Sequence, residues 1–133
     1  DRIYVGAHAG GMMVLHRKSG YIEYYNRHNS NLPSNNIYSI ISDGYGGLWV
    51  ASLEYLLHFD IDKRNFTIVD VDGDGHKLQQ YNRLLFCDSK KRIWAGGEMG
   101  ISVFNQVGTF CVEASVCELF LRNIFRISVD WNT

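Results

Sequence analysis

Residues 36–60 read NIYSIISDGYGGLWVASLEYLLHFD, and residues 81–105 read YNRLLFCDSKKRIWAGGEMGISVFN. The two stretches align without a gap at three landmarks, which are the pairs Asp43 and Asp88, Trp49 and Trp94, and Phe59 and Phe104. Each pair is separated by 45 residues. Self-similarity with a period of roughly 20–50 residues is the sequence signature of a repeat architecture. The sequence therefore predicts a chain built from repeated units.

The repeat continues on both sides of these two stretches. Shifting back by the same period places Tyr4 in the Trp column, and the segment 123–130 repeats the pattern of residues 36–43. We expect units at roughly 1–35, 36–80 and 81–122, with the start of a further unit at 123–133. The chain is thus expected to begin part-way through one unit and to stop as another begins.

One unit reads as four short strands joined by polar or glycine-rich turns. In the second unit the expected strands are 36–42, 48–51, 56–59 and 66–69, all rich in β-branched and aromatic residues. The turn at 43–47 contains Asp and three glycines, and the recurrence of its aspartate at Asp88 and Asp130 indicates a turn-forming role. The structure of the segment 107–122 stays open, although residues 115–126 read as mostly strand.

Four-stranded units of this length are typical of propeller blades. The predicted fold class is all-β, a partial β-propeller of about three four-stranded antiparallel blades with a repeat of about 45 residues. The aromatic column of Tyr4, Trp49 and Trp94 is expected to pack between successive blades. Three units are too few to close a ring of roughly four or more blades, so the open blade edges predict association between copies.

Composition excludes several function classes. Of the 133 residues, 46% are hydrophobic and 20% are charged, as in a globular chain. Thirteen Lys and Arg against fourteen Asp and Glu give a formal net charge of -1, which disfavours nucleic acid as a partner. The longest apolar runs are far shorter than the roughly 20 residues of a membrane helix.

Residues 32–37 (LPSNNI), followed by residues 43–52 (DGYGGLWVAS), resemble the two-component regulator propeller repeat. Residues 88–104 repeat the central part of the same motif. The chain departs from the motif at 53–56, where glycines are expected, and at 89–92, where the turn has lost its glycines. The resemblance covers about residues 1–105 and the fragment 123–130.

The resemblance implies a function as well as a fold. It implies a non-catalytic, periplasmic sensor segment of a hybrid two-component system, linked to a membrane-bound histidine kinase and to the remainder of the propeller. Because such repeats are typical of bacteria that sense complex glycans, an oligosaccharide is a candidate ligand, and no cofactor is predicted. The alternative is a scaffold that mediates protein–protein interaction or dimerisation and has no small-molecule site of its own.

The residues 70–75, DVDGDG, form the sharpest metal-like motif. Asp70, Asp72 and Asp74 stand at the alternate positions that open a calcium loop, but position twelve is Tyr81 instead of a bidentate Glu. A solvated acidic loop is therefore the favoured interpretation, and whether these aspartates bind calcium stays open. No metal site is predicted.

Other residues that carry chemistry are scattered. The five histidines are His8, His16, His28, His58 and His76, and none has a paired base or nucleophile in the sequence, so no catalytic residue is predicted. Whether Cys111 and Cys117 pair stays open, and Cys87 reads as a small buried residue. Residues 24–28, YYNRH, form the richest polar and aromatic cluster, which suits either a carbohydrate or a strand end with its exit loop. The ligand-binding residues are left unassigned.

Overall fold

The computed structural model describes residues 1–69, 82–97, 100–104 and 110–114, and these residues form eleven β-strands without a helix. The strands are β1 (Arg2–Ala7), β2 (Gly11–His16), β3 (Ile22–Tyr25), β4 (Ile37–Ser42), β5 (Gly47–Ser52), β6 (Leu56–Asp60), β7 (Asn65–Ile68), β8 (Asn82–Cys87), β9 (Ile93–Gly97), β10 (Gly100–Phe104) and β11 (Phe110–Ala114). Within the described ranges, no helical segment has the length and apolarity needed to cross a bilayer.

The strands form three antiparallel sheets, which we call blades 1, 2 and 3. Blade 1 has the order β1-β2-β3, blade 2 has β4-β5-β6-β7, and blade 3 has β8-β9-β10-β11. The 45-residue period matches β1 with β5 and β9, so the strands of blade 1 are counterparts of the second, third and fourth strands of blade 2. Residues 110–114, inside the segment 107–122 whose structure the sequence left open, pair with β10 as the outermost strand of blade 3.

Two hydrophobic cores lie between the three blades. The first core, between blades 1 and 2, contains Met12, Val14, Leu32, Ile37, Leu48, Val50, Leu57, Phe59 and Phe66. The second core, between blades 2 and 3, contains Trp49, Ala51, Leu56, Val69, Leu85, Ile93 and Ala95. Full burial of each large aliphatic or aromatic side chain contributes about 1.5–3 kcal/mol, so the cores stabilise the stacking of the blades.

Strand β5 serves both cores because successive side chains of a strand point to opposite faces. Leu48 and Val50 enter the first core, whereas Trp49 and Ala51 enter the second. The prediction that the aromatic column packs between blades is confirmed for Trp49, which is buried, and for Tyr4, which packs against the first core. A half-buried Trp94 takes the same place in blade 3.

Candidate functional site

A concave surface lies along β3, the outermost strand of blade 1, and we call it the outer groove. It is an open groove of about 470 Å³. Its lining residues come from β3, from the loop that follows it and from the turn before β7, namely Tyr21, Ile22, Glu23, Tyr24, Tyr25, Asn29, Ser30 and Arg64. This volume lies within the range of about 300–1,000 Å³ that is usual for small-molecule sites.

The loop after β3 is held by its own polar side chains. The Oδ1 atom of Asn26 accepts hydrogen bonds from the amides of His28 and Asn29 at 2.8 and 3.2 Å. Asn29 Nδ2 donates to the carbonyl of Tyr24 at 2.7 Å, and Ser30 Oγ donates to the carbonyl of Asn26 at 2.6 Å. These local contacts are typical of Asx-type turns. They fix one wall of the groove next to Tyr24.

Glu23 is the central polar residue of the groove. Its Oε1 accepts a hydrogen bond from His16 Nε2 at 2.6 Å, and its Oε2 accepts one from the Tyr25 hydroxyl at 2.7 Å. The hydrogen bond from Tyr25, together with the contacts from His16 and Arg64, holds the pKa of Glu23 below its ordinary value against the opposing effect of burial. Glu23 is therefore ionised at neutral pH, with both carboxylate oxygens engaged.

Tyr25 joins the groove to the first core. Its ring packs edge-on against Phe59 at 5.1 Å and against Phe66 at 6.0 Å between centroids. Burial, followed by the hydrogen bond to Glu23, raises the pKa of Tyr25 to about 12. The hydroxyl therefore stays protonated at neutral pH and keeps donating to Glu23.

Two tyrosines and one arginine of the groove face solvent. The residues Tyr21 and Tyr24 are 62% and 57% exposed, and the side chain of Arg64 is 63% exposed. The Nη2 atom of Arg64 lies 3.8 Å from Glu23 Oε1. Aromatic faces beside charged and amide groups can hold a ligand that has both apolar faces and hydroxyl groups.

Glu23 and Tyr25 have defined protonation states at neutral pH. Each carboxylate oxygen of Glu23 accepts one hydrogen bond, and the Tyr25 hydroxyl keeps its proton, so the groove pairs an ionised carboxylate with a neutral hydroxyl. In the part of the chain that the structure describes, no group of three or more His, Cys, Asp or Glu residues is placed to hold a metal ion.

The cluster predicted at residues 24–28 is divided by the structure. Tyr24 and Tyr25 point to opposite faces of β3, and both line the outer groove. Asn26 closes the turn, the amide of Arg27 donates to Asn35 Oδ1 at 2.9 Å, and His28 is exposed. Two residues of the cluster therefore line the groove and three belong to the exit loop, and carbohydrate binding by the cluster stays a prediction.

Asp43 and Asp88 act as turn formers, as predicted. Asp43 Oδ1 accepts the amides of Tyr45 and Gly47, and Asp88 holds the corresponding turn in blade 3. His58 lies on the opposite face from its strand neighbours and contacts Asp43 Oδ2 at 2.8 Å.

The exposed His8 lies in the turn between β1 and β2, 6.3 Å from the ring of Tyr38 and apart from the groove.

Several sequence-based questions fall outside the described side chains. The residues Asp70, Asp72, Asp74, Tyr81, Cys117 and Asp130 and the segment 115–133 lie outside the described ranges. Cys111 lies in β11, and Cys87 is half-buried, with its thiol 3.7 Å from the carbonyl oxygen of Asp88. Whether the aspartates bind calcium and whether Cys111 pairs with Cys117 are therefore not tested by the described residues.

Sequence reasoning missed Arg64 and the role of Glu23. The alternation of β3 was a usable signal, because it places Glu23 and Tyr25 on one face of the strand. Arg64 had no such signal, since its 41-residue separation from Glu23 is closed only by the packing of blade 2 on blade 1.

Comparison with known proteins bears on the segment that enters blade 2. The sequence model of the two component regulator propeller family matches residues 31–54, and no curated protein matches the chain. In the structure this segment covers the loop before β4, β4 itself, the glycine turn and β5. The side chain of its first residue, Asn31, makes two hydrogen bonds to Phe66 of β7. Asn31 Nδ2 donates to the carbonyl of Phe66 at 2.6 Å, and Asn31 Oδ1 accepts from the amide of Phe66 at 3.0 Å.

Solved structures with a similar fold are extracellular domains from B. thetaiotaomicron. The domain of the putative one component system BT4673 matches with a TM-score of 0.71 and 19% identity, over 84% of this chain and 15% of that one. The domain of the putative hybrid two component system BT3049 matches with a TM-score of 0.68 and 19% identity, over 86% of this chain and 15% of that one. This chain thus spans about 15% of the length of these structures. Residues 31–54 match the two component regulator propeller repeat, and the chain that carries them folds as consecutive blades of a β-propeller.

Proposed function

We propose that this chain is a ligand-binding segment of the extracytoplasmic sensor region of a two-component regulator, and that it binds an oligosaccharide in the outer groove. The propeller repeat at residues 31–54 and the extracellular domains of similar fold support the sensor role and the extracytoplasmic location. The remainder of the propeller and a membrane-linked histidine kinase are the proposed partners. The segment acts by binding and not by catalysis.

The observation that carries this proposal is the pair of exposed tyrosines in a groove with polar walls. A sugar ring presents an apolar face, which stacks on Tyr24 or Tyr21, and hydroxyl groups, which hydrogen-bond to neighbouring side chains. Binding between blade 1 and the turn of blade 2 favours one arrangement of the two blades. A signal reaches a kinase when the ligand has different affinities for two arrangements of the sensor.

Calorimetric titration of the 133-residue chain with neutral and acidic oligosaccharides tests the proposal. Tyr24→Ala removes an exposed ring from the groove, and we expect at least a tenfold loss of affinity with little change in melting temperature. Tyr45→Ala is the control, because Tyr45 is more exposed than Tyr24 (76% against 57%) but lies in the turn between β4 and β5, away from the groove. Equal binding by both variants, or no binding of any oligosaccharide, would overturn the groove as the sensory site.

A second function, protein–protein interaction, is favoured by the two ends of the blade stack. Leu84 is 72% exposed and Phe86 is also exposed on the outward face of blade 3. Ile3 and Val5 are exposed on blade 1, although their counterparts Leu48 and Val50 in blade 2 are buried. Apolar strand faces of this kind pack against a further blade, so two copies of the chain could stack end to end.

Light scattering on the purified chain separates the two functions. A stable dimer that is dissociated by Leu84→Asp and is indifferent to every oligosaccharide supports the scaffold. A monomer at micromolar concentrations, in which an oligosaccharide raises the melting temperature, supports the sensor and excludes self-association through the end faces.

A further inference from the structure

We propose that the outer groove selects a saccharide that carries a carboxylate group, such as a uronic acid, and that Arg64 recognises this carboxylate. The inference rests on the proposed function, since it names the ligand class of the same groove. It concerns the charge of the ligand, which the aromatic residues of the groove do not determine.

Arg64 is presented to the groove by an ordered turn. Asp60 Oδ1 accepts hydrogen bonds from the amides of Asp62 and Lys63 at 3.0 and 2.9 Å, which closes the turn between β6 and β7. Arg64 ends this turn with a φ of 55°, in the left-handed region that most residues avoid. The turn therefore sets the direction in which the side chain leaves the backbone.

The guanidinium of Arg64 has donors to spare. Its contact with Glu23 Oε1, at 3.8 Å, is longer than an N–H···O hydrogen bond. Within residues 1–69 and the other described ranges, the guanidinium makes no hydrogen bond, and most of its side chain faces solvent. An arginine has five N–H donors in a planar fork that matches a carboxylate in two parallel hydrogen bonds.

Glu23 does not compete effectively with an incoming anion. The Glu23 side chain is only 13% exposed, against 63% for Arg64, and its oxygens already accept short hydrogen bonds from His16 and Tyr25. A ligand that enters from solvent meets the guanidinium first. A bound carboxylate supplies the close acceptors that Arg64 lacks, while the sugar ring stacks on Tyr24.

Two trisaccharides that differ only at C6 provide the test. We would titrate the chain with α-1,4-linked trigalacturonate and with α-1,4-linked galactotriose at about 20 mM and 200 mM salt. The expected result is at least tenfold tighter binding of trigalacturonate at low salt, with a smaller preference at high salt. Arg64→Gln should abolish the preference, and Arg64→Lys should retain part of it as a point charge.

Lys63→Gln is the control, because it removes one positive charge at the neighbouring position. The Lys63 side chain pairs with Asp60 and does not line the groove. It should leave the preference unchanged. If the native chain binds both trisaccharides equally, the role of Arg64 is overturned while the oligosaccharide site stands. If it binds neither, the proposed function fails together with this inference. Equal loss of preference in the Lys63 variant would reduce the effect to net charge and overturn the assignment.

Discussion

Asp43 and Asp88 occupy the same place in consecutive blades, and each carboxylate closes its turn through the same two backbone amides. The amides of the second and fourth following residues lie 2.7 and 2.9 Å from Asp43 Oδ1. The corresponding distances to Asp88 Oδ1 are both 2.9 Å. The first hairpin of each complete blade is thus built on one repeated contact.

The second carboxylate oxygen has different partners in the two blades. Asp43 Oδ2 contacts His58 Nε2 at 2.8 Å, which ties the turn to the third strand of blade 2. Asp88 Oδ2 accepts from Arg92 Nε at 2.6 Å and from Trp94 Nε1 at 2.9 Å, both within its own hairpin. The turn of blade 3 is therefore held locally, whereas the turn of blade 2 also stabilises the packing of its neighbouring strands.

Asp43→Ala should lower the free energy of unfolding by about 2–3 kcal/mol. The substitution leaves two backbone amides and His58 without their acceptor at a site where Asp43 is buried. Urea denaturation followed by tryptophan fluorescence measures the loss. Asp62→Ala, at an exposed turn position, is the control and should change stability by less than about 0.5 kcal/mol. A comparable loss in both variants would contradict the structural role of Asp43.

The same carboxylate predicts a pH dependence of stability. Burial acts to raise the pKa of Asp43, but the hydrogen bonds from His58 and from the amides of Tyr45 and Gly47 prevail and hold it below its ordinary value of 3.8. Because the folded pKa is depressed, the stabilisation is present above pH 3.8 and is lost as the pH falls through the folded value. Denaturation curves measured between about pH 2 and pH 6 should show this decline, and Asp43→Asn should make it shallower. If Asp43→Asn leaves the dependence of the free energy of unfolding on pH unchanged, other carboxylates account for the decline.

Gly47→Ala should be destabilising, by about 1–3 kcal/mol, because a Cβ atom at this position would meet Asp43 Oδ2 and the ring of His58. Gly96→Ala is the matched comparison. A Cβ atom there has open space, and the counterpart of Gly96 in blade 2 is already an alanine, Ala51. We expect it to be neutral or slightly stabilising. Thermal denaturation measures the melting temperatures of both variants. Equal melting temperatures would refute the steric argument.

Lys91→Gly should stabilise blade 3, by about 0.5–1 kcal/mol. Lys91 has a φ of 62°, and its counterpart in blade 2 is Gly46, with a φ of 94°. A residue with a Cβ atom is strained in this region, and the relief exceeds the extra entropy of a glycine in the unfolded chain. Lys90→Gly, at a neighbouring position without positive φ, should be destabilising instead. A fall in melting temperature for the Lys91 variant would count against strain in this turn.

The strands could be predicted closely because their signals are local. Residues 48–51 were expected as a strand and lie within β5, and the expected 66–69 overlaps β7 (Asn65–Ile68). The turn role of Asp43 was equally visible, since a short carboxylate bonds the backbone within a few residues of itself. Lys91 shows the limit of such signals. Its turn lacks the glycine of the turn in blade 2, yet the backbone of Lys91 keeps the positive φ of its counterpart Gly46.

The groove could be predicted only in part. Tyr24 was visible as an aromatic residue at a strand end, but no pattern indicated that Tyr25 turns inward onto Phe59 while still contacting Glu23. The contact of Arg64 with Glu23 requires the turn of blade 2 to reach the outer strand of blade 1. Such a contact depends on how two sheets stack, which is a non-local property.

By itself, the amino-acid sequence determined the repeat, the strands and the turns of this protein, because period, β-propensity and Asx chemistry act over a few residues. The tertiary structure alone decided which side chains share the outer groove. It brought Arg64 to Glu23 by burying Met12 and Val14 of blade 1 against Phe59 of blade 2. The hydrophobic effect is non-directional, so the sequence alone does not specify which side chains of two sheets meet. Those contacts follow only from the packing of the blades.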